Sequence, residues 1–276
     1  MLQVSQLFIY PIKSLGGISV ANALITDRGF QYDRRWMLVD ENNQFLTQRE
    51  LADMALLQVE ITAAGLKVYH KKNIHYQIII PFFSETNETA NVEIWSESCE
   101  AQFVNKIADD WFSEMLLKKC RLVYMPDCTK RSIDNMYAFN KEITSLSDGF
   151  PFLIIGQSSI NELNSRLAEP LPINRFRPNI VFTGGEPFEE DTMEHFTINH
   201  INFYGVKLCA RCVITTINQD NAAKAKEPLK TLASYRMKNN KIYFGQNLLH
   251  NGEGRISLGD TIEIKKVNAS PAFTIF

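Results

Sequence analysis

The sequence lacks several patterns that would assign a function directly. No apolar run reaches the roughly 18 residues that a membrane helix needs, and the N-terminus MLQVSQLFIYPIKS has no basic region ahead of an apolar one. We therefore expect no membrane span and no signal peptide, and we expect a cytoplasmic protein. Neither a GxxxxGK nucleotide loop nor a strand-linked GxGxxG occurs, and GxSxG and HExxH are also missing. The usual nucleotide-loop, serine-hydrolase and zinc-protease chemistries therefore have no sequence basis.

The chain also lacks an excess of charge of one sign. Its 29 Lys and Arg residues nearly balance 31 acidic residues, and a net charge of −2 creates no general field that would attract nucleic acid or an anionic membrane. We predict neither partner. The length of 276 residues suits one large or two moderate domains. Five cysteines, odd in number and irregularly spaced, argue against a disulfide framework and favour a reducing compartment.

Short strands dominate the predicted secondary structure. WMLVD, the polar turn ENNQ and FLTQRE predict a hairpin, and the β pattern continues through residues 55–83. The polar segment 126–150 suits a domain junction. After it, FLIIG predicts a buried strand, and NIVFTGG, FTINHINFYGVKLCARCVITTI and RISLGDTIEI predict further strands.

Two helices are predicted between these strands. Phe103, Ile107, Trp111 and Met115 recur at steps of four, which indicates an amphipathic helix with these side chains on one face. The segment QSSINELNSRL indicates a second helix with Ser158 or Ser159 as its N-cap.

The stretch KLCARCVITT, residues 207–216, raises three interpretations. In the first, Cys209 and Cys212 form a redox dithiol, since they have its spacing. In the second, their two thiolates bind zinc together with His195 and His200. In the third, both cysteines are simply small buried residues. CVITTI is rich in β-branched residues and predicts a strand. In an extended chain, positions 209 and 212 point to opposite faces, which disfavours both a dithiol and a shared metal.

Pairs of basic residues suggest a phosphate site. Arg175 and Arg177 are two apart in INRFRPNIVFTGG, so they lie on one face if the segment is extended, although a solvated strand edge is the competing interpretation. Lys13 with Ser14 precedes a Gly-Gly turn, and Arg34 with Arg35 precedes a strand. Each of these short pairs alone is more often ordinary surface.

Taken together and in order, several segments resemble the MOSC proteins, named for the C-terminal domain of molybdenum cofactor sulfurase. The resemblance is closest to the branch that joins a MOSC N-terminal β-barrel to a MOSC domain, which includes the mitochondrial amidoxime-reducing components. It covers residues 1–265 and rests on YPIKS, DRRWMLVD, FLTQRE, NSRL, RFRPNIV, CARCVITT, EPLKTLASYR and FGQN. It implies a β-rich α+β fold in which an N-terminal β-barrel-like domain (1–122) packs on a MOSC β-barrel domain (145–265).

The resemblance also implies a site. Cys212 matches the cysteine that ligates the molybdenum of molybdopterin, and Cys209 is its neighbour. The cofactor contacts of the family match a set of polar residues that should meet where the two domains pack: Lys13, Ser14, Arg34, Arg177 and Arg211. Asp148, in SDGFPF, is a further pocket candidate, with a turn residue as the alternative. At family level the resemblance also implies pyridoxal phosphate binding.

Two positions depart from the amidoxime-reducing pattern. Asn247 stands where those proteins carry a tyrosine after FGQ, and Ala210 stands where they carry a serine. A phenol or hydroxyl contact to the cofactor is therefore lost, which puts the substrate profile in doubt rather than cofactor binding.

The implied activity is the two-electron reduction of a small N-hydroxylated compound, such as an amidoxime, a hydroxylamine or a hydroxylated base analogue, with release of water. No C-x4-C-x2-C spacing occurs and only KKVNASPAFTIF follows the strand pattern, so we expect a separate iron–sulfur, flavin or haem protein to donate electrons. Two other classes stay open. One is a sulfur-carrier or cofactor-trafficking protein that binds molybdopterin without turnover, and the other is an interaction module without cofactor.

Overall fold

The computed structural model describes residues 1–273, so the last three residues of the predicted C-terminal tail lie outside the described residues. Strands dominate, and short helices lie between them, as expected for a β-rich α+β protein. In chain order the strands are β1 Leu2–Ile9, β2 Ile18–Val20, β3 Asn22–Thr26, β4 Gly29–Phe30, β5 Trp36–Val39, β6 Leu57–Thr62, β7 Gly65–His70, β8 Asn73–Ile80, β9 Thr89–Ile94, β10 Glu97–Phe103, β11 Arg121–Tyr124, β12 Arg131–Ser132, β13 Ile143–Thr144, β14 Phe152–Gly156, β15 Ile180–Thr183, β16 Met193–Ile198, β17 Ile201–Ala210, β18 Met237–Lys238, β19 Lys241–Asn251, β20 Gly254–Ser257 and β21 Thr261–Val267.

The helices are short. The α-helices are α1 Lys106–Leu116, α2 Gln157–Ser165 and α3 Leu229–Ala233, and the 3-10 helices are Ala52–Leu56, Ile173–Arg175, Glu189–Thr192 and Val213–Thr216. Within residues 1–273, no helix has the length and apolar character needed to cross a membrane.

A closed barrel forms the larger part of the fold. Its strands follow the order β14-β15-β1-β21-β16-β17-β19, and β19 pairs again with β14 to complete the ring. Inward-facing aromatic side chains fill it, and Phe152 contacts both Phe30 and Phe203 edge to face, at centroid distances of 4.9 and 5.5 Å. Closure removes free strand edges and holds the loops at the ends of the barrel in fixed positions.

A half-barrel packs beside it. The sheets β5-β11-β10-β9 and β6-β7-β8 enclose a second core, which α1 covers with Phe112. Trp36 of β5 lies at the centre of this core and is fully buried. Both barrel domains expected from the resemblance are therefore present in the fold.

The first strands of the chain pair with strands of its C-terminal half. β1 pairs with β15 and β21, and β3 pairs with β20. The chain then enters the half-barrel, where Ile12 bridges to Trp36 of β5. Residues 10–16 therefore lie at the junction of the two barrels. The domain limits 1–122 and 145–265 stay a prediction, because strand pairing crosses between these ranges.

The hairpin and the two helices expected near residues 36–50, 103–115 and 157–167 are present, but the helices begin at other residues than predicted. The hairpin forms through Val39 bridging to Phe45. In α1 the buried side chains include Ala108 and Phe112, and the predicted Trp111 and Met115 pack against the same core. The other two positions of the predicted stripe were wrong, because Ile107 is 73% exposed and Phe103 ends β10. The helix starts one turn later than the pattern suggested because Asn105 caps it, its side chain accepting from the Ala108 N–H at 2.8 Å.

The second helix, in contrast, starts earlier than its predicted N-cap residues. α2 begins at Gln157 after Gly156, so the prediction of Ser158 or Ser159 as N-cap was wrong. Both hydroxyls make tertiary contacts instead. Ser158 donates to the Gly185 carbonyl, and Ser159 donates to the buried carboxylate of Glu190 at 2.7 Å.

Candidate functional site

One cleft between the barrel and the half-barrel is lined by every site residue that the sequence predicted. Five loops and strand ends supply these residues, from the turn after β1 to the segment after β17. The predicted residues that line the cleft are Lys13, Ser14, Arg34, Asp148, Arg177, Arg211 and Cys212. The structure thus brings the predicted set together, and the role of each residue stays a prediction.

Lys13 and Asp148 form an ion pair across the cleft. Nζ of Lys13 lies 2.6 Å from Oδ1 of Asp148, and the lysine side chain is 7% exposed while that of the aspartate is 65% exposed. Burial lowers the pKa of Lys13 to about 8, although the Asp148 carboxylate acts in the opposite direction. The loop that carries Asp148 is held from behind by buried Arg131, which donates to the carbonyls of Ser145, Ser147 and Asp148. The cleft thus contains a buried cation whose charge is sensitive to mild alkali.

Arg34 and Arg177 are both stacked on the ring of Tyr10. Their guanidinium carbons lie 4.4 and 4.3 Å from the ring centroid. Arg34 also pairs with Asp33 and donates to Asn179 at 3.0 Å, and Arg177 donates to the Leu15 carbonyl at 2.7 Å. Both arginines have positive φ values, 48° and 54°, so the surrounding turns determine their unusual backbone. These contacts fix two like charges side by side.

Tyr10 itself is fully enclosed. Burial raises the pKa of Tyr10 to about 12, although Arg177 and Arg34 act in the opposite direction. The phenol is therefore neutral at physiological pH, and its hydroxyl has no hydrogen-bond partner among the described residues. Its ring orders the two arginines without neutralising either of them.

The expectation that Arg175 and Arg177 share one face of an extended segment was wrong. Pro172 precedes a 3-10 helix, Ile173–Arg175, and the chain then turns through Arg177 into β15. Arg175 is buried away from the cleft surface and donates to the Thr215 carbonyl at 3.3 Å. Arg177 alone lines the cleft, while Arg175 supports the turn that follows Cys212.

The prediction of a strand through Cys212 was also wrong. β17 ends at Ala210, and Cys212 precedes the 3-10 helix Val213–Thr216, where its carbonyl accepts from both the N–H and the hydroxyl of Thr215. Because the segment is not extended, the opposite-face argument does not apply, and Cys209 and Cys212 both line the cleft. The side chain of Arg211 contacts the first of them, with Nη1 at 2.9 Å from Sγ of Cys209, while Nη2 donates to the Phe176 carbonyl at 2.6 Å.

The zinc interpretation finds no assembled ligand set. His195 bonds to Asn202, and His200 bonds to the Glu253 carbonyl. Across residues 1–273, no group of three or more His, Cys, Asp and Glu side chains is placed to hold a metal ion by itself. A metal bound here would depend on ligands from outside the chain, such as those of an organic cofactor.

Sequence reasoning assigned no role to two residues of the site. Arg49 lines the cleft 3.9 Å from Asp148 and stacks on the half-exposed Trp95 at 4.3 Å. Tyr10 supports Arg34 and Arg177 from beneath. Both residues lie inside segments that carried the resemblance, FLTQRE and YPIKS, so position in those segments was the available signal.

The donor set fits an anionic cofactor that includes a soft metal. Five cations line the cleft, Lys13, Arg34, Arg49, Arg177 and Arg211, against the single lining carboxylate of Asp148. The Nε–H groups of Arg49 and Arg211 are buried and have no partner among the described residues. Guanidinium groups bind phosphate oxygens in a fork, and a cysteine thiolate is a soft ligand that suits a redox metal. Molybdopterin, which ends in a phosphate and binds molybdenum through sulfur, therefore fits this cleft.

Comparisons with known proteins find two matching domain families along the chain. Residues 1–119 match the MOSC N-terminal beta barrel domain, and residues 141–263 match the MOSC domain. The mouse mitochondrial amidoxime-reducing component 1 is 32% identical over 94% of this chain and 81% of its own length, and its human counterpart is 30% identical over 94% and 82%. A molybdenum cofactor sulfurase from rice is 29% identical over 88% of this chain but only 32% of its own length. The names of these relatives do not mention pyridoxal phosphate.

Proposed function

This chain belongs to the family that joins a MOSC N-terminal beta barrel domain to a MOSC domain, and from that membership we propose that it is a molybdenum-cofactor-dependent reductase of N-hydroxylated compounds. The observation that carries the proposal is the convergence of five cations and Cys212 on one cleft between the barrels. Interdomain clefts are common ligand sites. We further propose a cytoplasmic location, in keeping with the free cysteines.

Lys13, Ser14, Arg34 and Arg177 are proposed to hold the cofactor phosphate. The two arginines already stand side by side on Tyr10, so little side-chain freedom has to be lost when an anion binds. Ser14 lies beside Lys13 with its backbone at a φ of 67°, fixed through the Gln48 side chain that donates to its carbonyl at 2.6 Å. A preformed cation cluster of this kind favours a dianionic phosphate over a neutral ligand.

Cys212 is proposed as the thiolate ligand. The carbonyl of Cys212 is fixed by two bonds from Thr215, and Arg175 in turn fixes the Thr215 carbonyl, so the backbone at this position is braced from behind. When bound, the cofactor would supply the two-electron redox chemistry of molybdenum. The protein's own contribution is to orient cofactor and substrate and to keep the thiol directed into the cleft.

Asp148 is proposed to meet the substrate. Its carboxylate is largely exposed at the cleft, and Lys13 donates to Oδ1. The other oxygen, Oδ2, has only a loose ionic contact with Arg49 at 3.9 Å, so it can still accept from an N–H donor of the substrate. Amidoximes and hydroxylated base analogues carry such donors beside the N–O group. Asn247, which donates to the Lys207 carbonyl at 3.1 Å, lines the same cleft where relatives of the amidoxime-reducing branch carry a phenol. We propose that asparagine in place of tyrosine at position 247 changes which substrates the cleft accepts.

The reduction consumes two electrons and two protons per N–O bond. We propose that the electrons come from a separate iron–sulfur, flavin or haem protein that docks near the cleft. The proposed substrate is a small molecule, with no nucleic acid and no membrane involved.

The decisive experiment measures the cofactor content of the protein together with its rate of amidoxime reduction. The protein is produced in a host that makes molybdopterin, and its molybdenum and released pterin are measured alongside amidoxime reduction driven by reduced viologen dye. We expect about one cofactor per chain and dye-driven reduction, both lost in Cys212→Ser and kept in Cys128→Ser, which alters an exposed and distant cysteine. A folded protein that takes up no pterin would refute cofactor binding and leave an interaction module as the interpretation.

A cofactor-trafficking or sulfur-carrier role is the second candidate, because one observation favours it. Cys209 also faces the cleft, with the Arg211 guanidinium 2.9 Å from its sulfur, so a second thiol stands beside the proposed ligand. The rice relative is named a molybdenum cofactor sulfurase. Stoichiometric pterin without reduction of any N-hydroxylated compound by viologen would favour this role over the reductase.

A further inference from the structure

The turn that carries Cys212 has an outer face as well as the face that lines the cleft. Cys212, Ile214 and Thr215 line the cleft, whereas Val213 between them does not, and this residue is 51% exposed. A single exposed apolar residue is ordinary on a protein surface. Val213 differs in its position, because it is the immediate neighbour of the proposed thiolate ligand and lies outside the cleft. A partner that covers Val213 would therefore approach Cys212 closely without entering the cleft.

Four exposed lysines stand on the two flanks of this turn, and together they are called the lysine patch: Lys224, Lys226, Lys238 and Lys241. On one flank, Lys241 precedes Ile242, whose carbonyl accepts from the Arg211 N–H at 2.7 Å. On the other flank, Lys224 is bridged to Ile217, directly after the 3-10 helix that follows Cys212. Each of the remaining two lies within three residues of one of these lysines. The segments bonded to both ends of the turn thus carry lysines.

The protein itself does not neutralise the lysine patch. Within residues 1–273, none of its four ammonium groups forms an ion pair with a carboxylate, whereas lysines elsewhere, such as Lys106 and Lys130, do. Two acidic residues occur in the same part of the chain. Glu227 is half-buried and accepts from the Thr231 N–H at 3.0 Å, and Asp220 is exposed. The patch therefore keeps a net positive charge.

The rest of the molecule has the opposite charge. The chain carries −2 in total, so removing the four positive charges of the lysine patch leaves −6 on the remaining residues. An acidic protein is repelled by this remainder and attracted to the patch, which steers and orients its approach. Complexes between redox proteins are usually small and transient, a size that suits four lysines around one apolar residue. A nucleic acid would extend from the patch over the acidic remainder, so the charge distribution favours a compact acidic partner.

We propose that the lysine patch and Val213 form the docking surface for an acidic electron-carrier protein. This inference rests on the proposed reductase function, and it adds the face of the molecule and the charge of the partner. A one-electron carrier docks twice for each N–O bond. Two reduced carriers are oxidised, and their two electrons, with two protons from the solvent, convert the N–OH group to N–H and release one water. Docking over Val213 keeps the carrier outside the cleft, so the substrate can stay bound while carriers exchange.

Binding is tested first on the cofactor-free protein, so that the result does not depend on turnover. The probes are two small acidic carriers, a plant-type [2Fe–2S] ferredoxin and a flavodoxin, and calorimetry measures their affinity. We expect saturable binding that weakens roughly tenfold when the salt concentration rises from about 20 mM to about 200 mM. In ¹⁵N-labelled protein, the paramagnetic reduced ferredoxin should broaden the amide signals of Val213, Lys224 and Lys241 and leave those of α1 sharp. Absence of binding by both carriers, or broadening centred elsewhere, would overturn the proposal.

Charge reversal tests the lysines directly. Lys224→Glu combined with Lys241→Glu should weaken ferredoxin binding by roughly tenfold or more. The control is Lys118→Glu combined with Lys119→Glu, the same change of charge at exposed positions after α1, which should stay within about twofold of the parent. Val213→Ala should weaken binding roughly threefold through lost apolar contact. A single-stranded DNA oligonucleotide that binds more tightly than either carrier at the same salt concentration would assign the patch to nucleic acid and contradict the proposal.

Cofactor-loaded protein separates this proposal from the proposed function. Reduced viologen dye needs no docking surface, so both charge-reversed proteins should keep dye-driven turnover, while the patch variant should lose roughly tenfold or more in kcat/KM for reduced ferredoxin. Undiminished ferredoxin binding in the patch variant would overturn the docking surface and leave dye-driven reduction intact. Absence of dye-driven turnover in the parent would refute the reductase, whereas salt-dependent binding lost on charge reversal would still support the docking surface.

Discussion

Nζ of Lys13 lies 2.6 Å from Oδ1 of Asp148, although the two residues are 135 positions apart in the sequence. The pair joins the half-barrel junction to the loop before β14 and places a buried ammonium in the cleft. Because burial lowers the pKa of Lys13 to about 8, the charge of this group is lost just above physiological pH.

Anion binding by the cofactor-free protein should therefore depend on pH. A bound anion favours the charged form of Lys13 and raises its pKa, so affinity is full below pH 8 and falls above it, by up to roughly tenfold per pH unit. Sulfate is a suitable probe because it does not titrate in this range, and calorimetry measures its affinity.

Two variants isolate the lysine. Lys13→Arg keeps its charge at higher pH and should flatten the profile, whereas Lys118→Arg, at an exposed site, should behave like the parent. An equally steep fall in Lys13→Arg would show that another group is responsible.

The two cysteines of the site should differ in their effect on metal retention. By resemblance Cys212 is the ligand, so Cys212→Ser should abolish molybdenum retention, while Cys209→Ser should largely spare it. Elemental analysis on folded protein measures both. Equal loss of molybdenum in the two variants would contradict a single thiolate ligand. Because both thiols line the cleft, the geometry does not identify the ligand, and this comparison does.

Arg177 should contribute strongly to cofactor affinity. A charge-assisted contact to phosphate contributes roughly 1.5–3 kcal/mol, so Arg177→Ala should weaken cofactor binding by about an order of magnitude or more. Arg255→Ala removes an exposed guanidinium on β20 and is the matched control. Pterin occupancy is measured by fluorescence after release, and unchanged occupancy in Lys13→Ala combined with Arg177→Ala would show that the phosphate binds elsewhere.

Glu190 should make the fold more stable in mild acid than in alkali. The side chain is fully buried beside Asp191, and burial followed by the Asp191 charge raises the pKa of Glu190 from 4.5 to about 7. Its contribution to stability is full below pH 4.5 and is lost as the pH rises through 7, a change of roughly 3 kcal/mol. Denaturant titration of Glu190→Gln should show a stability difference from the parent that shifts in favour of the variant across this window.

Glu114→Gln provides the control for that measurement because its side chain is exposed on α1. It should track the parent at every pH. A constant difference between Glu190→Gln and the parent from pH 4 to 8 would mean that folding does not raise the pKa of Glu190.

Turnover should require an added electron carrier. Cofactor-loaded protein mixed with NADH or NADPH and an amidoxime should stay inactive until a reductase fraction or reduced viologen dye is supplied. Sustained turnover with the nicotinamide alone would contradict the proposed separate donor. Formation of the amidine product, followed by chromatography, is the measurement.

Collinear motifs predicted the composition of the site better than local periodicity predicted its geometry. The seven residues meet in one cleft because each motif marks a loop or strand end at the junction of the barrels. Predictions from strand periodicity and β propensity failed where a side chain forms a hydrogen bond with the backbone nearby. Thr215 bonds back to Cys212 and replaces a strand by a 3-10 turn, a choice that β propensity does not record.

The packing inside the half-barrel could not be predicted from sequence in the same way. Trp36 and Phe82 come from elements that meet only through the half-barrel packing, and no spacing along the chain records their proximity. That the Trp36 indole N–H has no partner among the described residues is a property of the packed core, visible only once every neighbour is placed.

The pairing of β1 with β15 and β21 determines the order in which the protein can assemble. Strands β5 to β11 pair only within residues 12–124, including the bridge from Ile12 to Trp36, so the half-barrel can form while the ribosome is still adding the C-terminal half. Closure of the barrel must wait for β21, because β1 can pair with β2 and β15 earlier but gains its β21 neighbour only when residues 261–267 have emerged. Such distant pairing slows folding. Lys13 and Cys212 consequently line one cleft only once the barrel has closed, and a cofactor held by both residues would be inserted after that step.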